Sequence, residues 1–485
     1  MKINRFILAG LLAAASITGA SAQTIHIIGS TAYRAGVNDA IRSILAPGYT
    51  WGTTAATTTN AALGGASTCI WNGTIKSGLT GAGTAIEIRT AFSGSIAGAA
   101  DLAQGTQAKF IPHQTLSTAG TPNLSATELD TPDFAWTDTD VATDELVCKN
   151  AVSRAAYNAL ASAGLKEAGG AGSEGQGIVY FELVEEALTS GSTSPFTSIS
   201  TDDLATLAQN GFISLAQLSG TDTANNESTY IVLTGRSEDS GSRANTFACA
   251  FEGATSSIGA LTQQQYQPAY SGAFQTYSDN GAKEATGSAT VEEGGTGSTL
   301  TSLALWPAGW GLNSDTTIYW AKAGLGGGFN SGGNLALALS ATNPITTVSF
   351  TDPNSGNTAT AVYLVTYLAG ADAATCVAGE PTTLNTTNAQ ATRIAYNGVL
   401  YSQAAVLNGS YNIWGYEHAY YLPSATGVNK QAMDDIAVEV QTVTAEDDAF
   451  LDQNVTTDAA VGIFLPGGAE EVTRSSPGAP TTEDY

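Results

Sequence analysis

The segment between Gly235 and Phe247 concentrates side chains that can hold an anion. Its thirteen residues, GRSEDSGSRANTF, include two arginines, two acids, three serines and two glycines, although charged residues make up only 12% of the chain. The apolar residues 230–234 precede it with a strand-like pattern, and residues 244–251 have the pattern of the first turns of a helix. The segment is therefore predicted to be a strand-to-helix turn that carries many hydrogen-bond donors.

Two earlier segments, residues 29–31 and 94–95, combine glycine with hydroxyl residues after a strand-like stretch, as residues 240–242 do in the first segment. The first turn of a helix exposes unpaired N–H groups and a partial positive charge, so it binds anions without a basic protein surface. Arg236 adds a planar set of donors that suits a tetrahedral oxyanion. One such turn is an ordinary helix cap, and a lone arginine is commonly in a surface ion pair. The three turns together predict an oxyanion site.

The composition limits the classes of partner. The 485 residues carry 17 Lys and Arg against 43 Asp and Glu, a formal net charge of −26. This balance argues against nucleic acid and against docking on an anionic membrane. The length is enough for two or three domains with substantial cores, and a hydrophobic content of 43% argues against a disordered protein. The three histidines have no partner at a metal-ligand spacing, so we expect no metal and no cofactor.

The first 22 residues predict export. Lys2 and Arg5 supply a positive start, residues 6–17 are apolar, and the small residues 20–22 form a cleavage site before Gln23. No later apolar run reaches the roughly 20 residues that span a bilayer, so we expect no membrane insertion. The mature protein is predicted to be periplasmic or secreted.

Strand-like and helix-like patterns alternate along the chain. Strands are predicted at residues 24–28, 85–91, 177–183 and 230–234, with helical patterns between them. This alternation predicts an α/β fold with a largely parallel sheet. The Thr-, Gly- and Ala-rich residues 48–83 are predicted to be a surface insertion.

Six short motifs follow one another along the chain, namely residues 27–31 (IIGST), 92–95 (FSGS), 133–138 (DFAWTD), 197–204 (TSISTDDL), 236–242 (RSEDSGS) and 412–417 (NIWGYE). In these motifs and in their order the sequence resembles the phosphate-binding proteins of ABC phosphate importers. The most specific of these is the Arg-x-acid-x-Ser-Gly-Ser segment. The resemblance extends over about residues 24–450 and is interrupted by insertions.

This resemblance implies a type II periplasmic binding protein fold. Such a fold has two α/β lobes, each a mixed sheet flanked by helices, with the ligand cleft between them. It implies that residues 23–184 and 409–460 form lobe 1 and that residues 185–408 form lobe 2. Residues 461–485, rich in Gly, Pro, Ser and acids, are predicted to be a flexible tail.

The resemblance also implies a ligand-binding set, in which Arg236 is the guanidinium clamp. The other implied donors are hydroxyl or backbone groups of Thr31, Ala32, Ser95, Ser240, Gly241 and Ser242. Asp138 and Glu238 fall on the family's acidic positions. A carboxylate can only accept hydrogen bonds, so it favours an anion that still carries a proton over sulfate.

The motif departs from the family at two positions. Asp239 stands in place of a glycine, and Ser242 in place of the more usual threonine. Whether Glu238 or Asp239 faces the ligand stays open.

Four cysteines in an exported chain predict disulfides, and the sequence alone allows three pairings. The lobe boundaries implied by the resemblance favour the bridges Cys69–Cys148 and Cys249–Cys376, one within each lobe.

The leading functional prediction is an exported, monomeric solute-binding protein that takes phosphate or a related oxyanion to an ABC permease and catalyses nothing. An alternative is a surface or scavenging protein that reuses the same fold without transport, which the Gly-, Thr- and Ser-rich insertions favour. A phosphate-ester hydrolase is less favoured, because no Ser-His-acid set or metal cluster is visible in the sequence.

Overall fold

The computed structural model describes about two thirds of the chain in separate ranges. The described residues are 23–55, 66–147, 154–169, 177–187, 195–251, 264–271, 275–278, 290–293, 299–305, 327–329, 331–339, 350–351, 356, 358–359, 361–377, 391–442, 472–474 and 482–483. The predicted signal peptide lies outside these ranges, and so does Cys148.

The described strands fall into one large sheet and several isolated pairs. The large sheet contains β1 (Gln23–Gly29), β2 (Thr50–Thr53), β3 (Thr68–Thr74), β4 (Ala85–Phe92), β7 (Phe134–Thr137), β8 (Lys166–Glu167), β9 (Gly177–Ala187), β10 (Ser198–Ile199), β11 (Phe212–Ser214), β12 (Thr229–Leu233), β19 (Ala361–Ala369), β20 (Thr392–Tyr396) and β21 (Trp414–Tyr421). The pairs are β5 (Ala108–Phe110) with β6 (Glu128–Asp130), β13 (Tyr266–Ser271) with β16 (Thr299–Leu305), β14 (Gln275–Ser278) with β15 (Thr290–Glu293), β17 (Phe350–Thr351) with β18 (Thr358–Ala359), and β22 (Val472–Thr473) with β23 (Thr482–Glu483).

The described helices follow or flank these strands. They are α1 (Arg34–Ile44), α2 (Ser95–Gln104), α3 (Val141–Val147), α4 (Arg154–Ala163), α5 (Thr201–Asn210), α6 (Leu215–Ser219), α7 (Ala224–Glu227), α8 (Gly241–Ala250), α9 (Gly332–Ala338), α10 (Gly370–Cys376), α11 (Gln403–Leu407) and α12 (Gly427–Thr442). No helix within the described ranges is both long enough and apolar enough to cross a membrane.

The predicted α/β class is confirmed, and the sheet is mixed. Its path runs β11-β12-β19-β9-β21-β7-β1-β4-β3-β2. β1 pairs in parallel with β4 and β7, and β12 pairs in parallel with β19. The prediction of a largely parallel sheet is wrong, because β9, β21 and the edge strands all pair antiparallel along this path.

The sheet has two parts, one formed by β11, β12 and β19 and the other by β7, β1, β4, β3 and β2. Two long strands, β9 and β21, lie between these parts and join them. Residues Gly177–Tyr180 of β9 pair with the first half of β21, and residues Phe181–Ala187 pair with β19. The second half of β21, from His418 to Tyr421, pairs with β7. Each strand therefore runs from one part of the sheet to the other.

The predicted surface insertion at residues 48–83 instead contains β2 and β3, which extend the sheet beyond β4. Trp71 is completely buried, and its ring stacks on that of Trp51 with 5.6 Å between centroids. The high content of Thr and Gly concealed these strands, although the aromatic side chains supply the apolar face that buries them.

Cys69, Cys249 and Cys376 are buried, and none of them forms a disulfide within the described residues. The predicted Cys249–Cys376 disulfide is therefore wrong. Cys249, in the last turn of α8, donates to the carbonyl of Asn412, while Cys376 lies in a different core cluster. The predicted partner of Cys69, Cys148, lies outside the described residues.

The segment predicted to be a flexible tail contains one firmly placed side chain. Arg474, which directly follows β22, is buried against Trp414, with the guanidinium carbon 3.7 Å from the ring centroid. It also donates to the carbonyls of Asn412 and Trp414, at 3.2 and 3.0 Å.

Candidate functional site

Three strand-to-helix turns meet at one place in the fold. β1 and β4 are parallel neighbours, and the amides of Ser93 and Gly94 both donate to the carbonyl of Gly29. The turn after β12 reaches this pair, because the amide of Ile96 donates to the carbonyl of Asp239 at 3.2 Å. The N-terminal ends of α2 and α8 are therefore in contact.

The contact between α2 and α8 leaves no room for a side chain at Gly241. A Cβ atom at this position would lie 2.6 Å from Oγ of Ser95 and 2.8 Å from Oδ2 of Asp138. Only glycine lets the backbone approach these two polar groups so closely. The first amides of α8 thus lie beside a hydroxyl and a carboxyl group from the other part of the sheet.

Arg236 is buried and held on several sides. Its Nε donates to the carbonyl of Phe329 at 3.1 Å, and one Nη atom lies 3.4 Å from Oγ1 of Thr31. Its backbone amide donates to the hydroxyl of Tyr367, which in turn donates to Gln265 at 2.7 Å. These contacts hold the guanidinium at the contact between the two parts of the sheet.

Three acids surround the guanidinium of Arg236. Burial lowers the pKa of Arg236, while the charges of Asp372, Asp239 and Asp138 raise it. Of the two adjacent acids in the motif, Asp239 is the one beside Arg236, and it accepts a hydrogen bond from Ser237 at 2.6 Å. Glu238 is also buried, and it acts electrostatically on Tyr367.

Asp138 is the buried acceptor of the site. Oγ of Ser30 donates to its Oδ1, and it is also hydrogen-bonded to Ser95 and Glu417. Burial raises the pKa of Asp138, while these hydrogen bonds and the charge of Arg236 lower it. The structure thus places a carboxyl group and a guanidinium side by side at the first turns of two helices.

Five predicted residues form one group, which we call the turn cluster: Thr31, Ser95, Asp138, Arg236 and Gly241. Ser240 caps α8, with its Oγ accepting from the amide of Arg243 at 3.4 Å, and Ser242 lies in the first turn. The amide of Ala32 donates to Oγ of Ser30 at 3.1 Å. All nine predicted site residues are buried, including Glu238.

Two acids of this region, Asp372 and Glu417, are absent from the predicted site. Asp372 follows β19 in the first turn of α10, and its Oδ1 lies 3.9 Å from a guanidinium nitrogen of Arg34. Glu417 lies within the aromatic strand β21 and is completely buried. The sequence contains a signal for each of them. Asp372 lies at a fourth strand-to-helix turn, and Glu417 is a single acid inside an apolar strand.

The described residues contain no group of three or more His, Cys, Asp and Glu side chains that could hold a metal ion. The chemistry of the turn cluster is that of hydrogen bonding and charge.

The chain is similar to phosphate-binding proteins of known structure. A candidate phosphate ABC transporter substrate-binding protein with bound phosphate from Clostridium perfringens aligns over 89% of this chain and 97% of its own, at 11% identity and a TM-score of 0.39. An ABC-type phosphate transport receptor from Vibrio cholerae aligns over 87% and 97%, at 9% identity and a TM-score of 0.34. No family model and no curated protein matches the sequence.

Proposed function

We propose that this chain is an exported solute-binding protein that captures phosphate or a related oxyanion at the turn cluster and delivers it to an ABC permease. The observation that carries the proposal is the approach of the first turn of α8 to Ser95, next to the buried Arg236. Helix N-terminal amides, hydroxyl groups and a guanidinium are the donors that a tetrahedral oxyanion requires.

Binding at this site requires the two parts of the sheet to separate. All five residues of the turn cluster are buried, so an anion reaches them only after the contact between α2 and α8 opens. β9 and β21 join the two parts and are the natural place for a hinge. We assign residues 23–184 and 409–460 to one lobe and residues 185–408 to the other.

The remaining parts of the proposal follow from the sequence. Residues 1–22 would be removed on export, and the mature protein would act as a monomer in the periplasm or outside the cell. Asp138 would accept a hydrogen bond from a protonated oxyanion, which sulfate cannot donate.

The proposal is tested by calorimetric titration of the mature chain, freed of bound ligand by unfolding and refolding. Phosphate should bind, and sulfate should give no response. Arg236→Ala should weaken phosphate binding at least about tenfold, since a hydrogen bond to a charged group contributes about 1.5–3 kcal/mol.

The matched control is Arg42→Ala, which removes an arginine paired with Asp39 at the far end of α1. It should bind phosphate as the unmodified protein does. If neither phosphate nor sulfate binds, the proposal is rejected and the surface-protein alternative is favoured.

A further inference from the structure

Asp138 has a second buried carboxyl group as its neighbour. Glu417 lies in β21, opposite Gly177 of β9, and is completely buried. Its side chain is hydrogen-bonded to that of Asp138 and lies within reach of Ser30. The two acids come from strands that are neighbours in the sheet, β21 and the end of β7.

The described donors serve Asp138 and not Glu417. Ser30 has a single hydroxyl proton, which it donates to Oδ1 of Asp138, and Ser95 is also hydrogen-bonded to Asp138. Among the described residues, no hydroxyl, amide or cationic group donates to either carboxyl oxygen of Glu417. Two carboxylates form a hydrogen bond to each other only when one of them carries a proton. The complete burial of both acids on neighbouring strands, with no described donor on Glu417, therefore points to one proton between Asp138 and Glu417.

The other charged groups facing Glu417 reinforce this assignment. Its electrostatic neighbours are Asp138 and, from α3, Asp144, both of them acids. The hydroxyl of Tyr33, just before α1, is also influenced by Glu417 and is not charged at neutral pH. Arg236 faces Asp138 from the other side. A second negative charge on Glu417 would be unfavourable in this surrounding.

We propose that Glu417 is a positioning residue that keeps this proton and donates a hydrogen bond through it to Asp138, so that Asp138 stays ionised as the acceptor for a protonated oxyanion. The role rests on the proposed function of the site. Without the donor, the buried Asp138 would take up a proton itself and lose its preference for an anion that carries one.

The titration behaviour agrees with a proton on Glu417. Burial and then the charge of Asp138 raise the pKa of Glu417 well above its usual value. Burial also raises the pKa of Asp138, but there the hydrogen bonds from Ser30 and Glu417 act in the opposite direction. Glu417 is therefore the more basic member of the pair.

The sign of the pH dependence follows. Below the pKa of Asp138 both acids are protonated, and the acceptor for the oxyanion is lost. Above the pKa of Glu417 both are ionised, and the added negative charge repels the anion. Phosphate affinity should therefore be highest between these two values. The ionisation of Glu417 should cause the decrease in affinity on the alkaline side.

The test compares Glu417→Gln with Glu417→Leu in calorimetric titrations with phosphate and sulfate over a range of pH. The glutamine keeps an N–H donor for Asp138 and cannot ionise, so it should bind phosphate within a few-fold of the unmodified protein and still reject sulfate. Its affinity relative to the unmodified protein should rise on the alkaline side. The ionisation of phosphate itself is common to both proteins and cancels in this ratio.

The leucine removes the donor, so discrimination between phosphate and sulfate should fall at least about tenfold, in line with the cost of leaving a buried charged group without its hydrogen bond. The proposal would be overturned if Glu417→Leu discriminated between phosphate and sulfate as well as the unmodified protein does. It would also be overturned if Glu417→Gln discriminated as poorly as Glu417→Leu. Thermal melts of each variant verify that it is folded.

Infrared spectroscopy gives a readout that does not depend on phosphate binding. The refolded protein should show a protonated carboxyl band that Glu417→Gln lacks, and its absence would overturn the assignment of the proton. If the band is present but phosphate does not bind, the proposed function and the role of Glu417 in specificity are rejected. The assignment of the proton to Glu417 is then retained.

Discussion

At the scale of single residues, Gly241 is constrained by two polar groups of the site. The first amide groups of α8 can lie against Ser95 and Asp138 because no Cβ atom intervenes. This contact of Gly241 with Ser95 and Asp138 also connects the two parts of the sheet at the turn cluster. A larger side chain at position 241 would therefore disturb both the packing of α8 against α2 and the binding of the anion.

Gly241→Ala should therefore weaken phosphate binding by an order of magnitude or more and cost roughly 1–3 kcal/mol of stability, as is typical of overpacking a buried site. The new methyl group would lie 2.6 Å from Oγ of Ser95. Calorimetry and urea denaturation measure the two effects.

Gly333→Ala is the matched control, since among the described residues a Cβ atom there would contact just Oδ1 of Asp372, at an ordinary 3.8 Å. In α9 this change should be neutral or slightly stabilising. Normal phosphate binding by Gly241→Ala would show that the close approach has no part in recognition.

At the scale of elements, α8 and β21 contribute to two places at once. One end of α8 carries Gly241, and its other end carries Cys249, beside which Arg474 is buried. β21 begins at Trp414, under the guanidinium of Arg474, and continues to Glu417 at the site. Arg474 therefore contacts both α8, which carries Gly241 of the turn cluster, and β21, which carries Glu417.

Arg474→Ala should lower the free energy of unfolding by roughly 2–3 kcal/mol, because it removes two charge-assisted hydrogen bonds and a cation–π contact. Urea denaturation followed by tryptophan fluorescence measures this, with Trp414 as the nearest reporter. Lys430→Ala, which breaks a partly buried i,i+4 pair with Asp434 and a cation–π contact with Tyr421, should cost less, about 1 kcal/mol. Equal effects of the two changes would show that the segment around Arg474 does not hold the fold together.

At the scale of the whole molecule, several carboxyl groups are buried in a chain of net charge −26. Glu186 of β9 is an example, since neither of its carboxyl oxygens accepts a hydrogen bond from any residue in the described ranges. Burial and then the charge of Glu185 raise the pKa of Glu186 well above its usual value. A group whose pKa is raised on folding stabilises the fold below its unfolded pKa, and this contribution is lost as the pH rises through the folded pKa.

The stability contributed by the protonated Glu186 should consequently fall as the pH rises above about 4.3, the unfolded pKa of a glutamate. Glu186→Gln should flatten this dependence, and Asp202→Asn, an exposed acid at the start of α5, should leave it unchanged. Urea denaturation at several pH values measures the slope. A steeper or unaltered slope in Glu186→Gln would contradict the assignment.

The sequence by itself determined the local structures from which the site is built. Strand-to-helix turns with glycine and hydroxyl residues were identified at residues 29–31, 94–95 and 240–242, because turn formation and helix capping depend on neighbouring residues. The motifs also named all five residues of the turn cluster. The strands at 50–53 and 68–74 escaped detection, because long-range burial of two tryptophans stabilises them in a Thr-rich segment.

Only the tertiary structure decided what these turns face. The mixed order of the sheet depends on how β9 and β21 cross, and no local pattern specifies that pairing. Contacts between Asp138 and Glu417, or Arg236 and Asp372, join residues more than a hundred positions apart. The placement of Arg474 and the separate surroundings of Cys249 and Cys376 have the same origin. Residue type and spacing fix which groups can do chemistry, and long-range packing alone fixes their charge partners and their burial.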